Sequence, residues 1–510
     1  MKKYFSLLVF CAVTGFLNAQ VNYYVNEIGD DTNDGLSESA PFKTLTAADA
    51  AIVDHEALDS TPNEYVINIA GTVTAGGSCS FKTSEATIVT IKGTSPATDI
   101  IQMKTDAEYE AAEADYGRFF DMTNAMSTNV HLIVQNLTIK NFGFRPAKSW
   151  GAGALCNQKN DYFELKDCVI MKGGSRSGTI TQTATENCVF KMTNCYVSDL
   201  YSYIGQAGVF SPVRIRMGEG TISNCIFNTI SKDFDASGYT PNAEDEINNG
   251  TVISAGDDAS SSIATTLTIT NNTFINCKIT AGESVSGMPQ SVVLIDTLNS
   301  NGVHGVIANN LFVDNLNDGT TEVDILNLWD EAEDSLIIVN NVMNAQTGIN
   351  IDTNDVNADY TYASTEISIP LEGEAAQIFT AGNGIMYVKA EGTSIVGKAD
   401  TAYTSTYDII GTLRPDTASI GAVEYVAQTA SLNSTQVVSF KVYPNPSVGS
   451  ITISSLPSTS VVSIYNQLGQ SIYTQQVYTN ELKINSIKNG LYIVQVQANN
   501  ETQTTQLIVR

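Results

Sequence analysis

Leu132-Ile133-Val134-Gln135-Asn136-Leu137-Thr138-Ile139 returns as Phe163-Glu164-Leu165-Lys166-Asp167-Cys168-Val169-Ile170 and again as Phe190-Lys191-Met192-Thr193-Asn194-Cys195-Tyr196-Val197. Shorter copies follow: Thr221-Ile222-Ser223-Asn224-Cys225-Ile226-Phe227, Thr268-Ile269-Thr270-Asn271-Asn272-Thr273-Phe274, Val306-Ile307-Ala308-Asn309-Asn310-Leu311-Phe312 and Ile337-Ile338-Val339-Asn340-Asn341-Val342-Met343. Each copy alternates apolar and polar residues, breaks at an Asn-Asn or Asn-Cys pair, and resumes on an apolar residue. Alternation with period two describes a strand with one buried face, and an asparagine at the break marks a sharp bend. The spacing runs from 27 residues (Cys168 to Cys195) to 47 (Cys225 to Asn272). Self-similarity on that scale means a solenoid, and a strand-bend-strand unit makes it a parallel β-helix with loops inserted between coils.

In such a coil, equivalent residues of successive turns lie about 4.8 Å apart and pile into columns. The bend column is expected to hold Asn136, Cys168, Cys195, Cys225, Asn272, Asn310 and Asn341. Inward amides can bond one another up the stack, and the cysteines act as small apolar fillers of the same rank. Seven cysteines lie beyond the N-terminal segment, an odd number with no Cys-x-x-Cys spacing. Stacked thiols are therefore favoured over a disulfide framework or a metal site.

The chain has 510 residues, of which 43% are hydrophobic and only 16% charged, with 54 acidic against 26 basic side chains and a net charge of −28. Such an excess of negative charge disfavours nucleic acid and anionic membranes as general partners. Residues 1–19 combine Lys2 and Lys3, an apolar run from Tyr4 to Phe16, and Leu17-Asn18-Ala19, which describes a secretory signal cut after Ala19. Bulky residues before Cys11 argue against lipidation, and no later stretch is apolar enough to span a bilayer.

Two further segments carry a family resemblance. Tyr23-Tyr24-Val25-Asn26, Gly29, Asn33-Asp34-Gly35, Ser37 and Pro41-Phe42-Lys43-Thr44-Leu45 resemble the opening of right-handed β-helix proteins of the pectate-lyase-like superfamily. There the motif forms a cap strand and a short helix plugging the first end. Asp408, Gly411, Arg414-Pro415, Ile420-Gly421-Ala422 and Glu424 resemble the closing segment of extracellular β-helix proteins. Asp30, Asp31 and Asp34 are candidate calcium ligands, weighed against a plain solvated turn; no other cofactor is expected.

Beyond a polar linker at 427–435, short alternating strands recur at 437–443, 450–454, 460–466, 470–477, 481–484, 490–498 and 504–509, a pattern that suits a small immunoglobulin-like β-sandwich. Tyr443-Pro444-Asn445-Pro446, Ile464-Tyr465-Asn466-Gln467-Leu468-Gly469-Gln470, Asn489-Gly490-Leu491-Tyr492-Ile493-Val494 and the tail Leu507-Ile508-Val509-Arg510 are similar to the C-terminal sorting domain of type IX secretion substrates. The resemblance implies recognition by that machinery, removal of the domain, and display on or release from the cell surface. The expected organisation is a signal peptide (1–19), a β-helix (20–426), a linker (427–435) and a sorting domain (436–510).

Charge is uneven along the coil. Between Lys140 and Arg216 there are ten basic and five acidic residues, whereas 313–360 hold eleven acids and no base. Arg145, Lys148, Lys172, Arg176, Arg214 and Arg216 fall in or beside the links between repeats, with Trp150, Tyr201 and Tyr203 nearby. Guanidinium groups pair with carboxylate or sulfate in a bidentate way and aromatic faces stack on sugar rings, so these residues form a candidate groove for an anionic polysaccharide; Arg145, Lys148, Trp150 and Arg216 are the binding candidates. Two functions follow. One is a surface glycan-binding or adhesive solenoid, not an enzyme. The other, implied by the resemblance, is a polysaccharide lyase, with Lys172 or Tyr203 as base and Arg176 or Arg214 neutralising the uronate carboxylate. His55, His131 and His304 are too scattered for a triad or a zinc site. A capped solenoid exposes little open edge, and a monomer is expected.

Overall fold

The structure is a computed structural model. It describes residues 20–58, 64–83, 86–110, 118–123, 129–143, 155–175, 179–202, 211–231, 251–256, 258–275, 277, 291–296, 301–313, 315–317, 321–322, 324–329, 335–343, 349–351, 359–362, 367–368, 379–382, 385–388, 396–424, 440–457, 460–466, 470–498 and 501–510. The expected signal peptide and the 427–435 linker lie outside the described residues. Two compact units are present, Met1–Tyr425 and Val426–Arg510.

The first unit is built from three parallel sheets of 11, 10 and 8 strands, and a full turn of the chain gives one strand to each sheet. In the repeat around Phe163, for example, Tyr162–Lys166 joins the first sheet, Val169–Ser175 the second and Thr181–Thr183 the third. Parallel strands joined by crossovers wind right-handed, because a right-twisted strand packs back on its sheet only that way. The result is a right-handed parallel β-helix.

Its interior is columnar. On the second sheet Phe227, Phe274 and Phe312 are in register and stack with centroids 5.0 and 4.8 Å apart. On the first sheet Phe163 lies 5.7 Å from Phe190, and Gly220 and Gly305 continue that column. Gly305 sits at φ 148°, and a Cβ there would meet the Leu267 carbonyl at 1.8 Å, so only glycine fits.

The bend between the first two sheets corrects one expectation. The backbone bonds Val169 N to Leu137 O, Tyr196 N to Cys168 O, Ile226 N to Cys195 O, Thr273 N to Cys225 O, Leu311 N to Asn272 O and Val342 N to Asn310 O place Leu137, not Asn136, in the inner column. Asn136, at φ 55°, belongs one residue earlier, with Asp167, Asn194, Asn224, Asn271, Asn309 and Asn340 at φ 52–58°. An inward asparagine and one in the left-handed conformation look alike in sequence, and the 135–137 copy holds only one. The rest of the column stands. Asn272 Nδ2 donates to Asn310 Oδ1 (3.0 Å) and Asn310 Nδ2 to Asn341 Oδ1 (2.9 Å). Below them the thiols of Cys168, Cys195 and Cys225 donate to the carbonyls of Val134, Leu165 and Met192. All seven described cysteines are free and buried.

At the N-terminal end, strand Val21–Asn26 starts the first sheet and helix Leu45–Leu58 buries Leu45, Ala48 and Ile52 in the coil's core. Asp31 accepts from the Lys43 and Thr44 amides and the Thr44 hydroxyl. Asp30 caps the Thr32 amide and hydroxyl, and Asp34 caps the Leu36 amide. Asp30 and Asp34 thus form Asx turns, while Asp31 ties its turn to the segment that enters the helix.

The expected closing segment is found elsewhere than at an end. Residues 396–424 run along the outside of the bend as a strap, packing Ile409, Ile420, Ala422 and Val423 on Ile226, Ile275, Leu311 and Val342. Arg414 is buried in it and pairs with Glu424 at 3.1 Å.

In the second unit a three-stranded antiparallel sheet (Lys441–Tyr443, Ile451–Ser454, Glu481–Ile484) accompanies a four-stranded one (Ser471–Val477, Ser460–Asn466, Gly490–Ala498, Glu501–Val509). They enclose Ile451, Ile453, Val462, Ile464, Val494, Val496 and Leu507, an immunoglobulin-like sandwich core.

Candidate functional site

The third sheet presents a polar column to the outside. Its strands pair Asp121 with Asn157, Asn157 with Gln182, Gln182 with Arg214, and Arg214 with Ser254. Alternation fixes the direction: Phe120, Cys156, Val213 and Ile253 on one side of this rank, and Met122, Ile215 and Ala255 on the other, are all in the hydrophobic core. Five polar groups therefore point away from the core over about 19 Å, at the strand spacing of about 4.8 Å per turn; Asn157, Gln182 and Ser254 among them are buried.

Arg214 is held by Gln182, whose Oε1 lies 3.5 Å from Nη1. Two residues on, Arg216 pairs with Asp258 at 2.7 Å. Burial pulls the Asp258 carboxyl upward, but the Ser260 hydroxyl and amide and the charges of Arg216 and Arg214 outweigh it and hold it below its usual range. Asp121 at the other end is paired with Arg118 at 3.0 Å. Between them, the Asn157 side-chain carbonyl and the Ser254 hydroxyl are buried and have no hydrogen-bond partner among the described residues. A buried polar atom without a partner is costly, by about 1–3 kcal/mol.

Lys172 is not on this face. It belongs to the second sheet, at φ 54° like Asn141 and Asp199 at the same rank of the neighbouring strands, 3.5 Å from Asp106. Asp106 also binds Lys140 (2.8 Å) and Asn141 (2.9 Å), and these contacts lower its pKa to about 2. Of the candidates from the sequence, Arg214 and Arg216 come together and Lys172 stands apart, so the pairing of Lys172 with Arg214 is not realised. Arg145, Lys148, Trp150, Arg176 and Tyr203 lie outside the described residues. The histidines are separated: His55 meets the Tyr65 hydroxyl at 3.2 Å, His131 packs on Tyr162, and His304 stands on the first sheet.

Sequence reasoning missed Asn157, Gln182, Ser254 and Asp258. The third-sheet strands are three residues long at Cys156–Gln158, Thr181–Thr183, Val213–Ile215 and Ile253–Ala255, too short for alternation to declare itself. One signal was present. A hydroxyl residue stands two positions before each of the in-register residues Val213, Ile253 and Val293, where Ser211 donates to Val213 and Val252 carbonyls, Thr251 to Ile253 and Val292, and Ser291 to Val293.

Comparison with known proteins bears first on the second unit. Residues 441–510 match the family model described as a secretion system C-terminal sorting domain. The second unit is a type IX sorting domain. The chain is accordingly exported to the cell surface, and the type IX machinery is its partner in export. No helix among the described residues is long and apolar enough to cross a membrane. A curated relative, the ulvan lyase NLR42 of Nonlabens ulvanivorans, is 41% identical over 86 residues, a match that spans 16% of this chain and 16% of the lyase. Among solved structures, PorZ, a surface component of the type IX secretion system of Porphyromonas gingivalis, aligns at 24% identity over 17% of this chain and 13% of its own, with a TM-score of 0.14. Both alignments are short beside the sorting domain's partner, the coil, whose architecture is that of the pectate-lyase-like right-handed β-helices.

Proposed function

We propose that this surface protein binds an acidic extracellular polysaccharide along the outer face of the third sheet, as a glycan-binding or adhesive solenoid. The observation that carries the reading is the Asn157–Gln182–Arg214–Ser254 rank with Arg216 beside it. Guanidinium groups meet carboxylate or sulfate. A strand repeat of about 4.8 Å per turn also suits a chain laid along the coil axis.

The second reading, a polysaccharide lyase acting on uronic-acid glycans, is favoured by the name of the ulvan lyase relative. Its chemistry needs a base beside a cationic group that neutralises the uronate carboxylate. Arg214 and Arg216 supply cations, while Lys172 is engaged by Asp106 on another sheet.

One experiment addresses both readings. The protein is titrated with a panel of uronic-acid and sulfated oligosaccharides by calorimetry, while absorbance of the unsaturated product is followed. Binding that weakens about tenfold or more in Arg214→Ala, without any absorbance change, is the expected result. Absorbance that rises with wild type and is lost in Arg214→Ala gives the lyase reading. Binding unchanged in both Arg214→Ala and Arg216→Ala overturns the assignment of this face.

A further inference from the structure

The outer ridge of the bend already holds a peptide. Its seven left-handed residues, Asn136, Asp167, Asn194, Asn224, Asn271, Asn309 and Asn340, are stacked by backbone bonds, each amide donating to the carbonyl that precedes the next ridge residue, as from Asn136 to Lys166 and from Asn194 to Ser223. Four rungs grip the strap. Asn340 Nδ2 donates to the Lys398 carbonyl (3.2 Å), Asn309 to Asp400 (2.9 Å), Asn271 to Tyr403 (2.8 Å) and Asn224 to Tyr407 (2.7 Å). Asn309 Oδ1 also accepts from the Asp400 amide at 2.7 Å. What the four grips have in common is a main-chain carbonyl; the side chains of Thr404, Ser405 and Arg414 add bonds at Asn309 and Asn224.

The strap then leaves the ridge. Asp408 Oδ1 takes the amides of Ile410 and Thr412, Gly411 turns at φ 82°, and the chain reverses toward Arg414. Asn194, Asp167 and Asn136 are left beyond its turn. A hollow of about 510 Å³ is lined by these three rungs together with Pro96, Val169, Tyr407 and Ile410, and by the charged residues Lys166 and Asp408. Tyr407 and Ile410 are exposed there. Asn194 Nδ2 meanwhile donates to Asp167 Oδ1 at 2.9 Å, the bond available when no carbonyl is offered.

We infer that the rungs Asn136, Asp167 and Asn194 are a docking site for an extended polypeptide segment of a partner protein, bound in continuation of the strap. The partner's carbonyls accept from Asn194 and Asn136 as the strap's do from Asn224 and Asn271. Asp167, the one carboxylate among seven ridge positions, faces a lysine or arginine of the segment. An apolar residue of the partner packs on Tyr407 and Ile410. Three rungs extend over about 10 Å, the length of three to four residues of extended chain. Continuity with the strap interface is what commits the occupant to a polypeptide rather than a sugar. The site lies on the bend ridge, not on the third sheet, and does not depend on the glycan reading.

The test selects a random 12-residue peptide library, displayed on phage, against the immobilised full-length protein, with the same selection run on Asn136→Gly/Asn194→Gly. Glycine is used because it keeps the left-handed backbone while removing the amide. Clones enriched on wild type are expected to contain a basic residue and to bind the double variant at least about tenfold more weakly, the loss expected for two side-chain hydrogen bonds. Asp167→Asn is expected to remove the preference for lysine and arginine, and Asn271→Gly, under the strap, to leave binding unchanged. A selection that yields no clone distinguishing wild type from Asn136→Gly/Asn194→Gly overturns the inference. So does displacement of the selected peptides by neutral oligosaccharide, which would make the hollow a sugar site.

Discussion

Two residues show how much of this molecule rests on single charges. Arg414 and Glu424 have side chains only 1% and 3% exposed, and Arg414 also donates to the Ser419 and Gly421 carbonyls and to Asn224 Oδ1. Removing one partner leaves a buried charge uncompensated, so Glu424→Gln is expected to cost about 3 kcal/mol. Both tryptophans, Trp150 and Trp329, are in the first unit. Tryptophan fluorescence during urea unfolding therefore reads the coil alone, and a midpoint unchanged by Glu424→Gln would show that the strap contributes nothing to it. Asp106 makes a pH prediction. Its pKa falls from 3.8 to about 2, chiefly through Lys140 and Asn141. A carboxyl depressed in the folded state stabilises above its unfolded value and loses that contribution as pH falls through the folded one. The coil is expected to lose stability between about pH 4 and pH 2, and Asp106→Asn is expected to flatten that part of the profile. Equal slopes in the two proteins would exclude Asp106 as a source. Arg414, Glu424 and Asp408 stood out in the sequence, but Asp106 did not. It lies outside the repeat, and only the fold brings it to Lys140 and Lys172.

Among the elements, the inner ladder was the part most legible in advance, because stacking in a solenoid converts sequence rank directly into contact. Asn272, Asn310 and Asn341 form a directional chain in which the Oδ1 of Asn310 and that of Asn341 each accept both the previous rung's backbone amide and its Nδ2. The cysteines form a separate block, and the junction is a single bond from the Cys225 amide to Asn272 Oδ1. Asn310→Ala leaves the buried Asn272 backbone amide without its acceptor and takes one donor each from the Ile269 carbonyl and from Asn341 Oδ1, and is expected to cost about 2 kcal/mol or more. Cys195→Ser, which keeps a small group that bonds a carbonyl, is expected to cost less than Asn310→Ala. Urea midpoints of the two variants compared with wild type decide it, and the reverse order would make packing rather than amide pairing the main term. The thiols themselves are chemically quiet: burial pushes the Cys277 thiol up to about 12 and raises the Cys168 and Cys195 thiols well above their ordinary value. What the repeat concealed was rank by one residue at Asn136, and the whole third sheet. Its three-residue strands carry Asn157, Gln182, Arg214 and Ser254, and the arginines were visible only as local charge in a chain of net charge −28.

For the whole molecule, the strap changes what kind of object the coil is. A solenoid in which each turn meets only its neighbours has stability close to a sum of local terms, and its ends can open independently. A segment bonded to Asn224, Asn271, Asn309 and Asn340 ties four turns to one another and adds a contact between residues up to 190 positions apart, from Arg414 to Asn224. Turns under the strap should therefore open together, while those carrying Asn136, Asp167 and Asn194 open by nearest-neighbour fraying. Hydrogen exchange resolves the two regimes. In wild type, amides of Ile226–Ser231, Thr273–Ile275 and Leu311–Val313 are expected to share one protection level. Replacing Asn224, Asn271 and Asn309 by glycine keeps the left-handed backbone and removes the grip. Protection should then fall across all three strands at once and leave Thr138–Gly143 as it was. A loss confined to the strand beside each substitution would mean that the strap covers the ridge without coupling it, and that the coil remains a chain of independent turns.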